Sequence, residues 1–274
     1  MPISIRQPYP HLKPLVYVVL FYLLSSGVEI TLENCTFRLV KHSRLTNDIR
    51  YEFMFGISIL LSLFAMRRIG WKLDMKSLGL KQPNHLGELI LGFLVGAIFL
   101  FGPALTFSVI YSSPFIEKHT HFPMLMVLAL YLLTSLTEEV FYWGIIFQAI
   151  NLSYGTSLAL VASLSAFGLD HALSGYSLAD TLLVVLASGV LSSGAYLATG
   201  RLWFPIGLHW GWDFTLSLFH GGEHFTSMYV AGIYLFAANL FAIYAQTFVG
   251  IGLLWWAWKG GHWRRARFVV MAQT

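Results

Sequence analysis

Charge is the scarcest ingredient of this sequence: Asp, Glu, Lys and Arg make up 11% of its 274 residues, while 57% are hydrophobic and 16% aromatic. A soluble domain cannot cover that much apolar surface with so few charged groups, which excludes an ordinary globular protein. Cysteine is scarcer still. The single Cys35 excludes an intrachain disulfide and any Cys-based metal site. No repeat, low-complexity tract or Gly/Ser linker divides the chain, so residues 1–274 read as one domain whose motifs concentrate in 123–219. The opening MPISIRQPYPHLKP lacks a short apolar core followed by a small-residue cleavage site, so no removable signal peptide is expected.

What the chain has is apolar length. Residues 86–111 hold one charged side chain, Glu88, and 228–258 hold none. A membrane-crossing helix needs about 20 such residues. Eight crossings are expected, at 14–32, 52–66, 86–111, 123–149, 155–174, 181–199, 202–219 and 236–258, giving an all-α, polytopic membrane protein. The net charge of +4 would suit nucleic acid, but the bases flank apolar runs (Arg67, Arg68, Lys72, Lys76, Lys81; Lys259, Arg264, Arg265, Arg267). That is the positive-inside distribution, and no nucleic-acid partner is expected. Placing both termini in the cytoplasm puts twelve of the 17 bases inside and five outside. The span 52–66 is short for a crossing. Residues 71–83, WKLDMKSLGLKQP, alternate Lys with apolar side chains and read as a piece lying among the headgroups. Trp255, Trp256, Trp258 and Trp263 read as an interfacial anchor. In the sixth span, Ser188, Gly189, Ser192, Ser193 and Gly194 form a small-residue face suited to helix packing, with a peptide groove as the alternative.

Ionisable groups inside a bilayer cost roughly 2.5–3.5 kcal/mol each, so those that survive there are functional candidates. Glu138 and Glu139 lie in the fourth span, His171 ends the fifth, and His209 with Asp213 lies in the seventh. Phe167 and His171, like His209 and Asp213, are four residues apart and share a helix face. Glu138 and Glu139 project about 100° apart, so one faces a given site while the other packs elsewhere. A carboxylate among apolar neighbours is a competent general base, and imidazoles can share its water or donate to the oxygen that becomes negative during attack on an amide. Taken singly, each has a structural reading: a packing histidine, or a buried polar pair locking two helices. His220, Glu223 and His224 keep a possible place at the rim.

The three stations together, Glu138-Glu139-Val-Phe-Tyr-Trp143, Phe167-Gly-Leu-Asp-His171 and His209-Trp-Gly-Trp-Asp213, resemble the CPBP family of intramembrane peptidases, which includes the CAAX prenyl endopeptidases and bacteriocin self-immunity proteins. The resemblance implies a site between helices 4, 5 and 7 of an eight-helix core. It makes Glu138 the base that activates water, helped by His171, with His209 and Asp213 at the oxyanion. It implies a membrane-anchored, prenylated or leader-type protein or peptide substrate, the lipid bilayer as the other partner, and localisation in a bacterial inner or plasma membrane. It also implies glutamate catalysis with no cofactor, a catalytic zinc being the less favoured alternative, since the H-E-x-x-H signature is absent. The chain departs from the family where the glutamate motif's arginine is replaced by Trp143. Glu139 must then be protonated, hydrogen-bonded or paired with a more distant base. Asp213, if ionised, cannot donate to an oxyanion and would act by orienting His209. The depths of His171 and His209 in straight spans differ, and convergence on Glu138 asks for shifted ends or helices broken at Gly168, Gly207 or Pro205. A proton-coupled carrier and a catalytically silent scaffold or immunity protein are the alternatives.

Overall fold

The computed structural model describes residues 12–37, 44–68, 71, 75–81, 83–112, 116–117, 124–220, 228–229 and 232–260. Among them are eight long helices: α1 (Leu12–Phe37), α2 (Arg44–Arg68), α3 (His85–Ile110), α4 (Met124–Tyr154), α5 (Thr156–Leu173), α6 (Leu178–Thr199), α7 (Trp203–His220) and α8 (Gly232–Lys259). A two-residue antiparallel pair, Ile116–Glu117 with Met228–Tyr229, is the other regular element. Among the described residues seven helices are long and apolar enough to cross a membrane; α7, which carries His209 and Asp213 among three tryptophans, is not one of them. The seventh expected span, 202–219, is thus a helix that its length and composition do not qualify as a crossing. The Glu223 and His224 rim, Trp263 and the bases beyond it lie outside the described residues, as does the side chain of His220.

Two expectations are corrected. The second span is a full helix of 25 residues, because the polar side chains of its first turns find partners: Glu52 accepts from the Thr137 hydroxyl at 3.0 Å. The segment 71–83 does not simply lie among headgroups. Trp71 is buried against Tyr17 and Phe21, and Leu78 is fully buried in the main core. At the opposite extreme, Trp255, Trp256 and Trp258 stay exposed at the end of α8 with the Lys259 ammonium over two of their rings, as an interfacial anchor should.

The helix that carries His209 is fixed by glycine. Gly92 and Gly96 on α3 face Gly207 and Gly211 on α7, each pair four residues apart. A methyl group on Gly96 would stand 2.0 Å from the Leu208 carbonyl oxygen, and one on Gly207 2.2 Å from that of Leu89. Backbones this close require residues without side chains, which is how membrane helices associate when lipid supplies no hydrophobic drive. Gly207 is therefore a packing residue, and α7 runs unbroken through it; Pro205 falls in the helix's first turn, where its missing N–H costs nothing. The small residues of α6 likewise pack: a methyl on Gly194 would meet the Gly250 carbonyl oxygen of α8 at 2.7 Å. Gly96→Ala and Gly211→Ala should each lower stability by about 1–3 kcal/mol in thermal unfolding of the detergent-solubilised protein. Gly102→Ala, whose added methyl would meet only Ile98 at 3.8 Å, should not.

Candidate active site

Glu138 and Glu139 close the α-helical part of α4. The next seven residues, Val140–Ile146, are π-helical and all buried, before α-helix resumes at Phe147. Such a turn is energetically poor and is found mostly where function fixes a side chain's direction. A second π-helical turn, Val185–Gly189, interrupts α6. Its residues Ala187 and Ser188 line the same cavity as Glu138.

That cavity has a volume of about 530 Å³ and is bounded by α4, α5, α6, α7 and α8. Glu138, His171, His209 and Asp213 all line it. Convergence comes from unequal helix lengths, with α5 unbroken at Gly168. Phe167 packs edge-on to Tyr142, ring centroids 5.2 Å apart. From that level α5 continues only to Leu173, about 9 Å, whereas α4 continues to Met124, about 27 Å. His171 is at its helix end yet level with the glutamates, and the turn after it, with Tyr176 and Ser177, forms the rim.

The two glutamates divide as adjacent helix positions must. Glu138 faces the cavity; its Oε2 is buried without a hydrogen-bond partner and lies 4.0 Å from His209 Nε2. Glu139 faces inward at 3% exposure. Its Oε1 accepts from the Ser192 hydroxyl at 2.8 Å and lies 3.1 Å from His209 Nδ1. The other nitrogen of His209, Nε2, is 3.1 Å from Asp213 Oδ2, one helical turn along. The ring is pinned by a carboxylate on each side. His171 is pinned differently: a carbonyl only accepts, so its Nδ1–H donates to the Phe167 oxygen at 2.9 Å, leaving Nε2 as the nitrogen available to the cavity.

Trp143, at the position of the family arginine, is 1% exposed and packs beside Phe167. It occupies the space with apolar surface, and Glu139 takes its hydrogen bonds from Ser192 and His209 instead. Ser192 was legible only as a small packing residue. The sequence also gave no sign of Tyr131, Thr134 and Asn239, which line the cavity from α4 and α8. The rim turn had a signal, the Ser177-x-x-Asp180 cap, in which the Ser177 oxygen accepts from the Asp180 amide. Zinc requires three or four converging ligands. Among the described residues no three His, Cys, Asp or Glu side chains form a group that could hold a metal ion.

Residues 120–215, the stretch that contains Glu138, Glu139, His171, Ser192, His209 and Asp213, match the family model described as type II CAAX prenyl endopeptidase Rce1-like. No curated protein and no solved structure matches the chain. Over about a third of its length, then, the chain is similar to CAAX-protease domains, and the class this similarity supports is a peptidase set in a polytopic membrane protein.

Restoring the family residue should not help. Trp143→Arg places a charge in a fully packed position whose glutamate is already partnered. It should lower the thermal midpoint by about 5 °C or more. Ser192→Ala should cost about 1–3 kcal/mol by the same measurement, because it strips a donor from a buried carboxylate.

Proposed function

We propose that the protein is an intramembrane endopeptidase of glutamic type that hydrolyses a peptide bond of a membrane-anchored, prenylated or leader-type protein substrate. The observation that carries this reading is that Glu138, His171, His209 and Asp213, drawn from three helices, border one cavity. In the proposed reaction Glu138 takes a proton from water, and the resulting hydroxide adds to the scissile carbonyl carbon. The carbonyl oxygen becomes an oxyanion beside His209. Collapse of the tetrahedral intermediate breaks the C–N bond as Glu138 returns its proton to the leaving nitrogen. His171, with Nδ1 committed to the Phe167 carbonyl, offers Nε2 to the attacking water. Glu139 and Asp213 act through His209, holding its ring in place. Asp213 has no need to donate to the oxyanion itself.

The bases support both termini lying on the cytoplasmic side. Arg67, Arg68, Lys76, Lys81, Arg201 and Lys259 gather at the end of the bundle where α2 and α8 finish. There Arg201 forms an ion pair with Glu88. The cavity mouth, where α5 stops short, is at the other end.

Purified protein in lipid vesicles should cleave a membrane-anchored test peptide. Glu138→Gln should lose at least about 100-fold in kcat, the usual worth of a general base. His171→Ala should lose less, and a chelator should change nothing. Equal cleavage by Glu138→Gln would remove Glu138 from the chemistry; loss on chelation, restored by zinc, would replace the glutamic mechanism with a metal one.

A further inference from the structure

Glu138 borders a second cavity as well. This one, about 290 Å³, is bounded by α1, α2, α4 and α5, and Glu138 is the one residue common to the linings of the two. Its walls are polar, with Ser26, Glu29, Tyr51, Glu52, Tyr142 and Asp170 among them, and it opens outward where Tyr51 and Asp170 are exposed. The acids are not bare. The Tyr51 hydroxyl is close to Glu29 and the Tyr142 hydroxyl to Asp170, and Thr137 donates to Glu52 at 3.0 Å. Carboxylates lining a dry void would be prohibitively costly, whereas a cavity this polar and of this volume holds several waters in a bonded network.

Such a chamber matters because of what the first cavity must do. A peptide seated there displaces water, which strengthens every electrostatic interaction around it but also removes the second reactant. Glu138 remains in contact with the chamber on its other face, with a buried Oε2 that has no protein hydrogen-bond partner.

We propose that this second cavity is a water compartment that supplies the hydrolytic water to Glu138 while the substrate fills the main cavity, with Tyr142 and Asp170 as positioning residues. The proposal rests on the peptidase reading. Each turnover consumes one water, its oxygen entering the new carboxyl terminus and its protons leaving with the products. The next water enters from the chamber without any other co-reactant.

Two measurements on the full chain in lipid vesicles test it. In a Cys35→Ser background, Ser26→Cys should react with a charged methanethiosulfonate at least about tenfold faster than Leu23→Cys, which lies 62% exposed on the outer face of the same helix, because thiolate forms only in water. Equal reactivity would overturn the compartment. Ser26→Phe, which fills it, should lower kcat for the anchored peptide about tenfold or more with KM and thermal midpoint unchanged. An unchanged kcat would overturn the supply role. If the wild type cleaves nothing while Ser26→Cys still reacts fast, the peptidase reading fails and the wet compartment stands.

Discussion

A carboxylate buried in a membrane protein must be given its partners by the protein, since lipid offers none, and for Glu139 those partners gather on one oxygen, Oε1. One oxygen takes a proton donor from Ser192 on α6 and faces His209 on α7, while Glu139 itself sits on α4. Three helices are tied at that point. The ring it holds is held again from the other side by Asp213, and from there it reaches toward Glu138. Remove the Glu139 contacts and only Asp213, on the same helix, still holds the histidine beside the cavity.

The substitution of arginine by Trp143 makes sense in these terms. An arginine beside Glu139 would offset its charge; Ser192 and His209 instead contact one of its oxygens, without the desolvation of a buried guanidinium. The space is then free for an indole that packs against Phe167, one turn below His171, and stiffens the α4–α5 contact on which the level of the cavity depends. Close approach of α3 and α7 at their glycines sets the height of His209 from the opposite side. Packing of apolar surface and placement of polar groups are therefore one problem in this bundle.

Much of this was legible beforehand. Seven of the eight helices follow from apolar length, and Glu138, Glu139, His171, His209 and Asp213 stand out because a bilayer penalises them. The opposite facing of the two glutamates follows from the 100° step of a helix. What could not be read were features that depend on which helices touch at which level. Ser192 is a small residue among small residues until α6 is laid beside α4. Gly207 looks like a weak point in α7 until Leu89 is found against it. His171 seems too near its helix end until α5 is seen to stop far short of α4. Trp71 and Leu78 look interfacial in a segment studded with lysine, yet the core closes over them because the turn at Gly79 meets the α6–α7 corner, where its carbonyl accepts from the Leu202 amide.

The central claim is that Glu138 turns water into the nucleophile for a peptide bond held among these helices, and a single-turnover reaction in ¹⁸O-labelled water tests it most directly. With wild-type protein and a membrane-anchored peptide, mass spectrometry should find one ¹⁸O atom in each new carboxyl terminus. Glu138→Gln should still bind the peptide and form no labelled product. Labelled product from Glu138→Gln at the wild-type rate would contradict it.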